Sequence, residues 1–336
     1  MKAALFREVG KALAIETIPD PTPRPDEIVL KVGRCGICGS DIHHTEHAVS
    51  VPASGRVLGH EYAGEVVALG RDVTRFKIGD MVIAAPVAGC GTCASCLNGE
   101  PAWCVAREVK GGGYAEYALA RANDSLRLPA AMSLSDGALV EPLAVGLHTL
   151  NQADLKPGDK VVIIGAGPIG LACAWWARKM GAGRVAITAK TNTRADIAYA
   201  MGADTFLDPE MPMGDAVKQA FGGQLADVVI ECAGMPGLIE KSVEAMRPRG
   251  TIVVAGICWT PDSIQPRAMM GKEARIQFAA FFSIKEFQVT ADALEAGNLE
   301  PRAMVTDTVS LTGMSPVFEA LRNRTTQCKV LINPWD

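Results

Sequence analysis

Val161-Val-Ile-Ile-Gly-Ala-Gly-Pro-Ile-Gly170 is an apolar run that ends in a glycine turn, and Leu171 to Met180 continues it as an apolar helical stretch. Strand, Gly-x-Gly-x-x-Gly and helix in that order give the glycines a physical task. They let the backbone approach a pyrophosphate, which sits on the helix N-terminus. Gly165, Gly167, Pro168, Ile169 and Gly170 are therefore the expected dinucleotide-binding residues. The run Val161 to Ala177 is also about the minimum length of a membrane span. Three glycines and Pro168 in its first half, with Lys160 and Arg178 close on either side, argue for strand, turn and buried helix instead.

Downstream the alternation continues. Arg184 to Thr188 reads as a second strand and Arg194 to Met201 as a helix ended by Gly202. Asp227 to Cys232 and Thr251 to Ala255 read as buried strands, with a helix between them closed by Pro248-Arg-Gly250. Ile276 to Phe282 would be a further strand. Such alternation means a parallel sheet with crossover helices, a doubly wound α/β domain. After the second strand an NAD site usually carries an acid that bonds the ribose hydroxyls. Here the chain reads Thr188-Ala-Lys-Thr-Asn-Thr-Arg194. Ala189 takes the acid's place, and Lys190 and Arg194 would attract a 2′-phosphate, so NADP(H) is expected over NAD(H). A solvated loop would place the same two cations there without any ligand.

Upstream the residues carry metal chemistry. Lys2 to Phe6, Leu13 to Thr17 and Glu27 to Val32 read as strands, with a proline-rich link before the third. Next comes Cys35-Gly-Ile-Cys-Gly-Ser-Asp-Ile-His-His44. A thiolate and an imidazole suit zinc, and a hydroxyl followed by a histidine suits movement of a proton from a buried oxygen to solvent. Partner ligands are sought in His60-Glu61 and Glu141. Glu61 could ligate directly or orient a ligand. Asp41 could do the latter or form an Asx turn. Glu141 could meet zinc or sit at a helix start beside the dipole. Cys90, Cys93, Cys96 and Cys104 present four closely spaced thiolates, enough to saturate a tetrahedral zinc and leave no open position, so that site is structural.

Composition sets outer bounds. At 336 residues, about two domains are expected. A net charge of -4 argues against a general nucleic-acid binder. Met1-Lys2 leads straight into a strand-like run, so no export leader is expected. The cytoplasm is the expected compartment, and there the ten cysteines point to metal before disulfides.

In this order, CGICGSDIHH, GHEYAGEV, the four-cysteine segment, VEPLAVGLH and GAGPIG resemble the zinc-containing medium-chain dehydrogenases of the alcohol, polyol, butanediol and threonine group. The resemblance covers essentially the whole chain. It implies a GroES-like, mostly-β catalytic domain over 1–145, with a structural zinc lobe over 86–108. A Rossmann domain over 146–285 and a return of 286–336 to the catalytic domain complete it, with the cleft between the two. It implies Cys38 rather than Cys35 as thiolate ligand, joined by His60, Glu61 and Glu141, and a second zinc on the four cysteines. Spacing alone would also allow Cys35 and Cys38 to be a redox pair. Ser40 and His43 match the proton relay, with Asp41 behind them. A homo-oligomer, tetramer before dimer, is implied. The polyol branch has an arginine and a tyrosine where this chain reads Phe278-Ala-Ala-Phe-Phe282, so a less polar secondary alcohol or ketone is expected. The alternatives are an NAD-dependent polyol, butanediol or threonine dehydrogenase, and a zinc-stabilised redox sensor without catalysis.

Overall fold

Around the strand Glu27–Gly36 the first half of the chain assembles. The structure, a computed structural model, describes residues 1–46, 53–323 and 326–336. It divides into two units. One comprises Met1–Glu141, Ser283–Leu299 and Val305–Asp336; the other comprises Pro142–Phe282 and Glu300–Met304.

In the first unit Glu27–Gly36 pairs antiparallel with Glu61–Leu69, Tyr117–Arg121 and Lys329–Asn333. Ile28, Leu30, Val32 and Cys35 are almost wholly out of solvent, as a strand with neighbours on both edges and cover on its face requires. Met81–Ile83 and Leu126–Arg127 extend the sheet on one side and Val305–Ser310 on the other. Phe6, Tyr62, Tyr114 and Phe318 fill the core beneath. The four-cysteine lobe is a small ribbon, Val87–Ala88 with Glu108–Val109, and it is tied back by Lys110 Nζ to Glu27 Oε1 at 2.8 Å.

The helix Leu134–Gln152 begins on a reciprocal cap, in which Ser133 Oγ accepts from Asp136 N while Asp136 Oδ2 accepts from Ser133 N. Glu141 therefore stands inside the helix, next to Pro142, and the helix-start reading of that residue is replaced. The proline concealed the continuity in the sequence, because Pro in a helix interior costs a backbone bond and is uncommon there.

The second unit is a parallel sheet in the order Thr205–Phe206, Arg184–Thr188, Lys160–Ile164, Ala226–Glu231, Met246–Val254, Arg275–Phe278. Strand order reverses between Lys160–Ile164 and Ala226–Glu231, the switch point at which open α/β sheets bind ligands. Val161 to Ile163 are fully buried, and the helix Pro168–Lys179 buries Gly170 to Ala177. Its two indoles are satisfied: Trp175 Nε1 donates to Glu300 Oε2 at 3.1 Å and Trp176 Nε1 to the Leu143 carbonyl at 2.8 Å. Among the described residues no helix is long and apolar enough to cross a membrane.

Two expectations are corrected. The helix after Ala226–Glu231 ends at Ala245, and the next strand runs from Met246 straight through Pro248-Arg-Gly250. A register shift between Ala226 and Val228 lets the strand pass its proline, as a bulge does. The last strand stops at Phe278 rather than Phe282, and Phe281 takes φ +61°.

Asp227 stabilises the start of this sheet. It accepts from Lys160 N at 2.8 Å and pairs with Lys160 Nζ at 3.0 Å and Arg247 Nε at 2.5 Å. Burial works to raise its carboxyl, but these donors outweigh it and hold it below the usual range. A depressed carboxylate contributes stability above its unfolded pKa, near 3.9, and loses it as pH falls through the folded value. Asp227→Asn is therefore expected to lower stability by about 1–2 kcal/mol at pH 7, and the gap from the parent should close below about pH 4. Melting curves across that range check this; a gap independent of pH would be contrary.

Candidate active site

Gly36 lies in register with Glu61 on one side and Leu331 on the other. A Cβ on Gly36 would come 2.0 Å from Glu61 Oε2 and 3.2 Å from Lys329 Cδ. Glycine is needed because a buried ion pair fills that space. Lys329 is 1% exposed, and its Nζ donates to Glu61 Oε1 at 2.7 Å, Oε2 at 2.6 Å and the Ile37 carbonyl at 3.1 Å. These use all three donors of an ammonium. Sequence reading missed Lys329. Its signal was a lysine heading the apolar strand Lys329-Val-Leu-Ile332, since a buried cation needs a partner.

Cys38 Sγ, a His60 ring nitrogen and a Glu61 oxygen lie within 4.8 Å of one another. A thiolate, an imidazole and a carboxylate so gathered fit zinc, whose bonds of about 2.0–2.3 Å place neighbouring ligand atoms under about 4 Å apart. Asp41 Oδ1 lies 3.4 Å from His60 Nδ1, and Tyr114 OH donates to Asp41 Oδ2 at 2.6 Å. This geometry suits a ligand-orienting Asp41 and would leave Nε2 of His60 for a metal. Burial opposes the Asp41 charge, yet His60 and Tyr114 hold the carboxyl below its ordinary value. Burial likewise opposes a charged His60, while Asp41 and Cys38 raise it well above the usual imidazole range; a dication there would replace that proton. Tyr114 was not foreseen, because nothing in Gly111-Gly-Gly-Tyr114 marks its distant partner.

Glu141 feels the charges of His60, Glu61, Lys329 and Asp41 but is not one of the three tightly gathered groups. It is 8% exposed, and burial pushes its carboxyl up to about 7, with the Glu61 charge adding to the rise. Ser40 and His43 lie one turn apart on the helix Gly39–Glu46. The Ser40 hydroxyl donates to Cys38 Sγ at 3.2 Å, and His43 Nδ1 lies 3.4 Å from Glu46 Oε2. Cys35 is fully buried, and burial pushes its thiol well up, which suits a packing residue and not a redox partner.

Cys90, Cys93, Cys96 and Cys104 converge. Sγ separations are 3.5 Å for Cys93–Cys96 and 3.9 Å for Cys90–Cys96. Both far exceed a disulfide bond of about 2.05 Å and match the edge of a tetrahedral zinc–thiolate shell, about 3.8 Å. Cys90 N and Ala106 N each donate to Cys104 Sγ at 3.3 Å, as backbone amides do for a thiolate. Thr92 and the Cys93 amide pull the Cys90 thiol down to about 5.

At the glycine turn Gly165 has φ +114°, and a Cβ on Gly170 would meet the Gly165 carbonyl at 1.8 Å. Pro168 opens the helix behind Gly167. The turn is thus a cradle that only glycines leave open, and it fits a pyrophosphate. Beyond the second strand, Ala189 is half-buried and Lys190 exposed, while the Arg194 guanidinium donates to the Ala166 carbonyl at 3.1 Å. Arg194 is in part committed to the turn itself. Phe278 is 66% exposed and Phe282 buried, so the aromatic run does not form one apolar wall.

Two family profiles match the chain: "Alcohol dehydrogenase GroES-like domain" over residues 24–130 and "Zinc-binding dehydrogenase" over residues 168–296. A sorbitol dehydrogenase of Halalkalibacterium halodurans is 30% identical, over 100% of both chains. The crystal structure of 2R,3R-butanediol dehydrogenase from Bacillus subtilis is similar at a TM-score of 0.88 and 26% identity, over 99% of each chain. A Sinorhizobium meliloti 1021 protein solved with NADP bound is similar at a TM-score of 0.88 and 30% identity, again over 99% of each.

Proposed function

Since the chain belongs to the zinc-containing medium-chain dehydrogenases, and is a zinc-type alcohol dehydrogenase, we propose that it interconverts a secondary alcohol and a ketone with NADP(H). One observation carries the site: Cys38, His60 and Glu61 offer a thiolate, an imidazole and a carboxylate within 4.8 Å. Zinc held by them would supply Lewis acidity toward an alcohol or carbonyl oxygen, and a nicotinamide would supply the hydride partner. A second zinc belongs to the four-cysteine lobe.

The chain's own residues do the rest. Tyr114 fixes Asp41, and Asp41 fixes the tautomer and angle of His60. Lys329 grips both carboxyl oxygens of Glu61 and fixes their direction. Ser40 Oγ takes the alcohol proton and His43, one helical turn on, carries it outward. The Gly165–Gly170 turn would hold a pyrophosphate at the helix N-terminus.

The absence of an acid at Ala189, the cation at Lys190 and the NADP-bound relative support the cofactor choice. A second reading, an NAD-dependent polyol dehydrogenase, is favoured by the sorbitol dehydrogenase relative and by the hold of Ala166 on Arg194. A spectrophotometric panel of sorbitol, xylitol, 2,3-butanediol and simple secondary alcohols, each with NADP+ and NAD+, tests both readings, with zinc assayed on the same sample. Ala189→Asp is expected to move the NADP/NAD ratio of kcat/KM toward NAD by about tenfold or more, through repulsion of the 2′-phosphate. An unmoved ratio overturns the assignment of that loop.

A further inference from the structure

Ser40, His43 and Glu46 occupy every third position of the helix Gly39–Glu46, a row on which neighbours meet. The last of the three is no part of the relay described above. Its carboxylate is divided: Oε2 lies 3.4 Å from His43 Nδ1, and Oε1 lies 3.1 Å from Arg322 Nη1. Arg322 is itself fixed. It pairs with Glu319 at 2.7 and 2.9 Å and donates to the Ile42 carbonyl at 3.3 Å and Thr45 Oγ1 at 3.0 Å. A guanidinium held on so many acceptors is a rigid clamp on the end of the helix. The side chains become more exposed from Arg322 at 17% through Glu46 at 30% to His43 at 36%, so the imidazole stands at the solvent boundary.

We propose that Glu46, held in place by Arg322, is a positioning residue for His43 that steadies the charged form of its ring. The proposal rests on the relay reading of Ser40 and His43. When the ring takes up a proton it becomes a cation beside a carboxylate held 3.4 Å from Nδ1, an ion pair and not a hydrogen bond. A proton then leaves to water from the exposed part of the ring, and the ring returns to its neutral form. Orientation of a catalytic imidazole by a carboxylate at its other nitrogen is a general device. Of the other titratable groups described on these elements, Asp41 faces His60 and Tyr114 and feels the charge of His44, and Glu319 faces Arg322.

The test uses the full-length, zinc-loaded protein and Glu46→Gln, which keeps shape and removes charge. The His43 ring titration is followed by NMR of histidine-labelled protein, with His43→Gln to assign the signal. In parallel, 2,3-butanediol oxidation is followed against pH. Loss of the carboxylate should move the His43 midpoint and the acid limb of turnover about half a pH unit downward. At pH 7, kcat should fall about three- to tenfold with KM within twofold, and Glu46→Asp should recover part of it. An unmoved His43 midpoint in Glu46→Gln overturns the proposal, whatever the rates. If His43→Gln leaves the pH profile as it was, the relay reading fails instead, while the NMR result still decides whether Glu46 governs the ring.

Discussion

Cys38→Ala is expected to lower turnover at least about a thousandfold and to remove one of two zinc equivalents, with the melting temperature little changed. The asymmetry follows from the position of Cys38. It stands between the end of Glu27–Gly36 and the start of Gly39–Glu46, half-exposed, and contributes little to the core. What it contributes is one of three ligand atoms within 4.8 Å and an acceptor for Ser40. Without it His60 and Glu61 remain, and both are already committed to Asp41 and Lys329. A two-ligand remnant of that kind holds zinc weakly. Cys96→Ser supplies the opposite pattern: one zinc equivalent lost from the lobe, with the damage in stability first. Metal analysis, activity and melting on the same three samples separate the sites. Activity persisting in Cys38→Ala would remove the metal from the reaction.

Much of this was legible because the chemistry-bearing residues come in short runs. The spacing of Cys90, Cys93, Cys96 and Cys104 offers four thiolates, the number that a closed tetrahedral shell takes, and the strand before Gly165 gives the glycine turn its context. What stayed hidden depends on pairing across long stretches of chain. Lys329 reaches Glu61 because Lys329–Asn333 closes onto Glu27–Gly36, and nothing near either residue records that register. Tyr114 meets Asp41 for the same kind of reason. Local rules also misled. Pro142 and Pro248 read as breakers, yet one lies inside a helix and the other inside a strand, where packing and a bulge outweigh propensity. Phe278-Ala-Ala-Phe-Phe282 read as one apolar surface, but the strand ends at Phe278 and the backbone turns at Phe281, so its side chains part company.

Lys329→Met tests the pairing that the sequence concealed. The lysine and Glu61 are each about 1% exposed, so removing the cation leaves a buried carboxyl without the ammonium that bonds both its oxygens. Breaking a buried pair in this way costs about 3–5 kcal/mol. At about 2–4 °C per kcal/mol for a domain of this size, the metal-free variant should melt about 6–20 °C lower. Zinc should return part of that loss, because a dication beside Glu61 takes over as counter-charge. Glu61→Gln alone is expected to be comparably harmful, since it strands the ammonium. The double variant Glu61→Gln, Lys329→Met should lie well above the sum of the two, with a coupling of about 1–3 kcal/mol. Additive losses would mean that the two groups act apart, against their 2.6 Å contact. Zinc retention in the double variant carries a second answer. With Glu61 neutral and its clamp gone, Glu141 is the carboxylate left beside Cys38 and His60, and burial already disposes it to seek a cation. Full catalytic zinc in that protein would identify Glu141 as able to complete the shell; loss of one equivalent would assign that place to Glu61.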